Sequence, residues 1–442
     1  MFHVKHPPHI LLINPWITDF AAYNLWVKPL GILSIGSILR QAGFRVSLVD
    51  CLDFPSRKKT YGDGMFYKIR IEKPLPLKYI PRYYSRYGVP DTLLLDKFSS
   101  IEKPDVICIT SGMTYWYHGV FKVIEITKKL FKDTPTILGG IYATLCYEHA
   151  IKHSGADIVL KGGNEWELLK LISEITHFEL RIDHWELKID DLPYPVFDLY
   201  PSLDYVCIST SRGCPFRCSY CASHYLTGGF ERRDPLQVID EIEYWTTQHG
   251  VSNIAFYDDA LLVEPFKNII PLLKGVISRK IHCNFHAPNG LHIREIDEEV
   301  AALLFRGGFK TIRLGLETSN EVLQIETGGK VDNQGFQSAL RNLKKAGYPL
   351  ENIGVYIMAG LPGQRVEQVE ETIAFVRENG AKPLLTEYSP TPHTVMFQKA
   401  KELSTFDLEK EPLFHNNSVF PCQWEGFTPA DLRTLKEDLK KA

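Results

Sequence analysis

The strongest constraint on the fold is a rhythm in which short apolar runs alternate with helical patterns, once over the first 180 or so residues and again after residue 204. In the first series "HILLIN" (9–14) reads as a strand, "PLGILSIGSILRQAG" (29–43) as a helix stopped by Gly43, and "FRVSLVD" (44–50) as a second strand. "DVICIT" (105–110), "TPTILGG" (134–140) and "ADIVLKGG" (156–163) follow, separated by amphipathic stretches that begin near Val120, Leu145 and Glu165. Strand-helix-strand order predicts an α/β unit over 1–189, a doubly wound parallel sheet whose ligands bind beyond the carboxyl ends of its strands. "DDLPYPVFDLYPSLD" (190–204) is crowded with proline and has no period, so it is expected to be a linker. The second series runs through "YVCIST" (205–210), "NIAFYD" (253–258), "IHCNFH" (281–286), "TIRLGLE" (311–317), "NIGVYIM" (352–358) and "PLLTEY" (383–388). Asp234 and Asp332 are expected to cap helices that end before Gly250 and Gly347. Six repeats fall short of the eight of a full barrel, which predicts a partial (β/α)6 TIM-type barrel over 205–390 with its site at the strands' carboxyl ends, then a tail over 391–442.

Residues 51–102 break the rhythm of the first unit and are rich in Tyr, Pro and basic side chains between 60 and 88. Such an insertion is either a surface excursion packed by its own aromatics or a wall of the ligand edge. Hydrophobic residues at 44% and charged ones at 23% indicate an ordinary globular chain, and a net charge of −3 without a long Lys/Arg block disfavours nucleic acid as a large partner. The opening "MFHVKHPPHI" lacks the order of a secretory signal, and no apolar run approaches the roughly 20 residues of a membrane span. A reduced, cytoplasmic protein is expected.

Six of the nine cysteines are isolated, whereas Cys214, Cys218 and Cys221 crowd into "SRGCPFRCSYCAS" (211–223), directly after the first barrel strand. A disulfide network would leave one thiol over, and a structural zinc site needs a fourth ligand, for which His224 is the nearby candidate. A four-iron cluster held by C-x3-C-x2-C has three thiolates and one iron left open to an outside molecule.

This spacing resembles the signature of the radical S-adenosylmethionine (SAM) enzymes. Tyr220, before the third cysteine, matches the aromatic that lies against the adenine in that family. "FYDDALL" (256–262), with Asp258, stands where the family's second strand ends. "RLGLETSNEVL" (313–323), with Glu317, resembles the fourth-strand motif whose acid contacts SAM, and "VYIMAGLPGQ" (355–364), with Met358, the fifth-strand motif. The resemblance implies a [4Fe-4S] cluster on the three cysteines and reductive cleavage of SAM to a 5′-deoxyadenosyl radical, with electrons from a flavodoxin- or ferredoxin-type protein. A salt bridge to Arg313 or Lys310 is the bland alternative for Glu317, and capping of the next loop for Asp258 and Asp259. Lys330, after "TGG", is within reach of the SAM carboxylate by sequence, though a solvated loop lysine is the expectation.

A parallel sheet ahead of such a barrel resembles the cobalamin-binding radical SAM subfamily, with its Rossmann-like first domain and methyltransferase members. "TSGMTYW" (110–116), "GGIYATLCYEHA" (139–150) and "GADIVLKGGNEWELL" (155–169) match that domain, which implicates Ser111, Gly112, Gly139, Gly140 and Thr144 in holding cobalamin. Small residues at a ligand edge let a broad flat ring approach the backbone; a sheet serving only as scaffold is the alternative. The D-x-H-x-x-G pattern that places histidine on cobalt elsewhere is absent, as is G-x-G-x-x-G. The expected activity is methylation of an unactivated carbon in a small-molecule or peptide substrate. Rearrangement, elimination or ring formation is the enzymatic alternative, and a cobalamin- or cluster-binding sensor the non-enzymatic one. In the tail, Thr428 and Asp431 are expected to start a last helix, and His415, Asn416 and Asn417 to lie in a surface loop.

Overall fold

The computed structural model describes residues 6–162, 165–180 and 188–441; the first five residues and Gly163 and Asn164 of the "KGGNEW" stretch lie outside them. Two compact units divide the chain, Met1–Leu203 and Asp204–Ala442.

The first unit starts with β1 (His9–Asn14), buried along its whole length as an interior parallel strand must be, and two short strands, β2 (Ile17–Asp19) and β3 (Tyr23–Asn24). Helix α1 (Leu30–Gln41) buries Ile32, Leu33, Ile38 and Leu39 and ends before Gly43, whose φ of 99° suits only glycine, and β4 (Arg45–Asp50) follows. The insertion is not a loop: it folds into β5 (Pro55–Lys58), β6 (Gly64–Phe66), β7 (Lys68–Ile71) and β8 (Tyr84–Tyr87), followed by α2 (Asp91–Ser99). These strands join β2 and β3 in two antiparallel three-stranded sheets, ordered β2-β8-β7 and β3-β6-β5. Ile17, Leu52, Phe66 and Tyr87 share one buried cluster, and Phe20 packs edge-on against Tyr84, so aromatics of the insertion and of the β1 exit make this core together.

The rest of the unit is β9 (Val106–Ile109), α3 (Tyr117–Leu130), β10 (Thr136–Leu138), α4 (Ile141–Leu145), α5 (Tyr147–His153), β11 (Ile158–Val159) and α6 (Glu165–Thr176). The parallel sheet runs β11-β10-β9-β1-β4, so strand order reverses between β1 and β9. Right-handed crossovers in opposite directions open a crevice there, at the carboxyl ends. The proline-rich stretch packs onto this unit: Val196 N–H donates to Leu33 O (3.2 Å), Phe197 is fully buried, and Tyr200 O–H donates to Asp50 Oδ2 (2.6 Å).

In the second unit β12 (Val206–Ile208) is followed by the cysteine loop, framed by the antiparallel pair β13 (Ser211–Arg212) and β14 (Glu231–Arg232), with α7 (Ser223–Thr227) inside the frame. Then come α8 (Pro235–Gln248), β15 (Asn253–Phe256), α9 (Ile269–Ser278), β16 (Asn284–His286), α10 (Glu298–Arg306), β17 (Phe309–Thr311) and β18 (Arg313–Glu317). After α11 (Glu321–Glu326) and α12 (Asn333–Ala346), β19 (Gly354–Ala359), α13 (Val366–Glu378) and β20 (Lys382–Glu387) complete the parallel series. Parallel pairing runs β12-β15-β16-β17 and β18-β19-β20; the run read as a fourth strand breaks at Ile312, and the Leu291–Leu314 bridge spans the break. Asp234 and Asp332 accept from the N–H of Leu236 and Gly335, as caps should.

The tail adds α14 (Val395–Leu403) and α15 (Pro429–Lys441), the latter opened by reciprocal bonds between Thr428 and Asp431. One expectation fails here. His415 and Asn416 are each 1% exposed, because the imidazole Nε2 pairs with Leu408 O (2.7 Å) and the Asn416 side chain accepts from Ser418 N–H. They are core polar groups with satisfied bonds rather than a surface loop. Among the described residues no helix is long and apolar enough to cross a membrane.

Candidate active site

The cysteine loop is held at both ends by groups outside it. Entering it, Thr210 donates through N–H and Oγ1 and Ser211 through Oγ (2.7 Å) to the buried carboxylate of Asp258, just beyond β15. Burial raises the Asp258 pKa, and these donors work against that rise. Its oxygens face the loop's root, so Asp258 supports the loop rather than an open pocket. On the exit side Arg233 N–H donates to Thr210 O and its guanidinium to Ser209 O (3.0 Å) and Glu241 (2.6 Å). Gly213 has φ 78°, and a Cβ there would lie 1.9 Å from Gly229 O, so the turn into Cys214 is open only to glycine.

Within the loop Ser219 N–H donates to Thr327 O (3.2 Å) and Ser219 O accepts from Met396 N–H (2.8 Å), which seats it between the end of α11 and the start of α14. Burial pushes the Cys214 thiol up to about 11 and raises Cys221, and the neighbouring thiols and Asp259 add to both shifts. Three thiolates at such spacing repel one another, and a bound cationic centre removes that penalty. Among the described residues no three His, Cys, Asp or Glu side chains converge on one point as a single ion requires, with sulfurs about 4 Å apart around zinc. C-x3-C-x2-C supplies three thiolates, the number that a four-iron cubane with one open iron takes.

Beside the loop stands a charged pair that the sequence did not pair. Glu317 ends β18 with φ 65°, a left-handed conformation that costs a non-glycine residue on the order of 1–3 kcal/mol and concentrates at functional sites. Its Oε1 lies 2.8 Å from Lys330 Nζ, and the two side chains are 11% and 19% exposed. Lys330 is therefore not the solvated loop lysine expected, and the partner of Glu317 is neither Arg313 nor Lys310. Burial opposes the Lys330 charge, but Glu317 and the Cys218 thiol outweigh it and raise the pKa. The ammonium is 5.7 Å from the Tyr220 ring centroid, within cation–π range. The phenol pKa of Tyr220 is raised by burial and by the charges of Glu317 and Cys218. Met358 and Tyr220 pack half-buried against one cluster that includes Leu361, Tyr388, Met396 and Cys422. Thus Tyr220, Met358, Glu317 and Lys330 gather around the loop, and Asp258 lies at its root.

Sequence reasoning missed several neighbours. Among the described residues the hydroxyls of Ser219 and Tyr388 are buried without a hydrogen-bond partner, an arrangement that costs about 1–3 kcal/mol per group and suits a polar ligand. Phe216 of the loop stacks on His292 (4.6 Å between centroids), whose pKa falls to about 4 through burial and then Lys330, so its ring is neutral at neutral pH. A Cβ on Gly315 would sit 3.1 Å from Glu317 Oε1 and 3.3 Å from Lys330 Nζ, so a side chain there would press on the pair. The only sequence signal for this close approach was the glycine in "RLGLE".

In the first unit the expected residues lie together at the carboxyl ends of β9 and β10. Ser111 Oγ donates to Gly139 O (2.6 Å) and accepts from Ala143 N–H, while Thr144 Oγ1 donates to Gly140 O and accepts from Gly162 N–H. The glycines differ. Gly140 has φ 93° and ψ −169°, and its Cβ would meet Ser111 O at 2.4 Å, whereas among the described residues a Cβ on Gly139 meets nothing within 4 Å. Gly140 is thus required by the turn itself and Gly139 leaves open space. Gly140→Ala is expected to lower stability by about 2–4 kcal/mol, and Gly139→Ala to stay within about 0.5 kcal/mol of wild type. Urea unfolding checks both, and equal losses would contradict the distinction.

Residues 208–376 match the radical SAM superfamily model. The anaerobic magnesium-protoporphyrin IX monomethyl ester cyclase of Rubrivivax gelatinosus is 24% identical over 390 residues, covering 76% of this chain and 68% of the cyclase. The fold matches TsrM of Kitasatospora setae, a radical SAM methyltransferase solved with tryptophan substrate and a SAM analog, with TM-score 0.68 and 16% identity over 98% of this chain and 88% of TsrM. OxsB, a cobalamin-dependent SAM radical enzyme solved with aqua-cobalamin, matches with TM-score 0.60 and 13% identity over 98% of this chain and 61% of OxsB. A glycine-turned loop of three thiols at the mouth of a partial barrel, backed by the Glu317–Lys330 pair, thus lies within the matched residues, and this chain carries a radical SAM domain over 208–376.

Proposed function

We propose that this chain is a cobalamin-dependent radical SAM methyltransferase that methylates an unactivated carbon of a small-molecule or peptide substrate. The reading rests above all on one observation, the loop of Cys214, Cys218 and Cys221 beside a buried site in which Glu317, Lys330 and Tyr220 meet. When bound, the cluster and SAM supply a 5′-deoxyadenosyl radical, and cobalamin supplies a methyl carrier. The residues do the rest. The thiolates of Cys214, Cys218 and Cys221 would hold the cluster beside the SAM site. Lys330 offers a positive charge to the SAM carboxylate, Glu317 an acceptor to the amine or ribose, and Tyr220 and Met358 an apolar wall for the adenosyl group. The buried setting excludes water from a reactive intermediate.

In the first unit the open backbone at Gly139 is the approach for a corrin face, and Ser111 and Thr144 fix the turns beside it. A Gly139→Val protein should lose cobalamin on gel filtration while keeping its stability. A flavodoxin- or ferredoxin-type protein in a reducing cytoplasm delivers the electron, and no nucleic acid takes part.

Product analysis tests the reading. Methyl transfer yields one S-adenosylhomocysteine and one 5′-deoxyadenosine per methylated product, and a labelled SAM methyl appears in that product. The cyclase likeness favours ring formation as the second reading. That outcome shows as 5′-deoxyadenosine without S-adenosylhomocysteine and an unlabelled product.

A further inference from the structure

We propose that the free edge of β7 docks an extended acidic segment of a partner polypeptide, which adds a fourth strand to the β2-β8-β7 sheet. This inference does not depend on the radical chemistry. Between residues 55 and 83 seven Lys and Arg side chains are exposed against one exposed acid, Glu72, and Lys78 already holds that acid at 3.4 Å. Such a concentration stands out in a chain whose net charge is −3. On β7 itself Lys68 and Arg70 are exposed, while Ile69 and Ile71 are half-buried.

Backbone geometry brings the same two residues to the edge. Gly88 N–H donates to Tyr67 O (2.8 Å), and β7 pairs with β8 in the register Ile69↔Arg86 and Ile71↔Tyr84. Hydrogen-bonded and non-bonded pairs alternate in an antiparallel ladder, so Ile69 and Ile71 bond to β8 and the N–H and C=O of Lys68 and Arg70 turn outward. Among the described residues no strand lies beyond β7. Such an edge binds a strand through main-chain bonds. Its two cations reject a second copy of themselves, since like charges opposite one another across strands are unfavourable, and favour acids at alternate positions of an incoming chain.

Nucleic acid fits less well. Tyr83 is 68% exposed, but the Arg70 guanidinium covers one ring face at 3.7 Å, where a base would stack.

The probe is a fluorescent peptide of alternating Glu and Val, titrated by anisotropy against the full chain beside an alternating Lys–Val peptide, oligouridine RNA and phosphatidylserine vesicles. The Glu–Val peptide should bind and weaken with salt. Lys68→Pro removes one outward N–H at an edge position that tolerates proline and should weaken binding about tenfold, the worth of roughly one hydrogen bond. The double variant K68E/R70E, altered only at exposed side chains, should lose the acidic peptide and gain the Lys–Val one. No binding of the Glu–Val peptide, or tighter binding of RNA or vesicles that ignores Lys68→Pro, would overturn the proposal.

Discussion

Replacing any one of Cys214, Cys218 and Cys221 by Ala should abolish both the iron–sulfur absorbance of the anaerobically prepared protein and its reductive cleavage of SAM. Each thiolate of a three-ligand cluster serves its own iron, so the loss of one leaves two irons open and the cluster labile. Folding survives the change, because the loop is fixed from outside by Asp258, Arg233, Thr327 and Met396. Far-ultraviolet circular dichroism should therefore match wild type in all three variants. Undiminished SAM cleavage in any one of them, or zinc without iron in the wild-type protein, would overturn the cluster assignment.

Glu317→Ala should destabilise the protein by about 3 kcal/mol, because it strands the Lys330 ammonium in a largely buried site. Adding Lys330→Met removes the stranded charge and should restore most of that loss, the coupling expected of contacting residues. SAM binding should behave differently. It falls in both the single and the double variant, since each lacks polar groups that face the ligand. Urea unfolding and equilibrium dialysis of labelled SAM separate the two effects. Full SAM affinity in the double variant would reduce the pair to a structural salt bridge.

What could be read from the sequence was whatever short-range pattern decides. The parallel strands, the Asp234 and Asp332 caps and the cysteine loop each announce themselves within a few residues. The insertion did not, because its strands are three or four residues long and one sheet joins Ile17–Asp19 to Tyr84–Tyr87, partners far apart in the chain. Such pairings have too little period of their own to be seen. The Glu317–Lys330 pair was hidden for a related reason: the left-handed backbone at Glu317 turns the carboxylate toward a residue thirteen positions on, away from the basic neighbours Lys310 and Arg313. Burial of His415 and Asn416 depends on Leu408 O and on the Ser418 N–H from which the Asn416 side chain accepts, bonds that composition does not foretell.

The anchoring of the cysteine loop bears on the order of assembly. Many small metal-binding domains are unfolded without their ion, because the ligands themselves close the structure. Here the Thr210 and Ser211 hydroxyls, the Asp258 carboxylate and the Arg233 guanidinium already tie the loop to the barrel by hydrogen bonds within the chain. The chain can therefore fold as a finished receptacle and receive iron and sulfide afterwards. A protein matured in air and stripped of its inorganic centre should accept a new one without passing through an unfolded state.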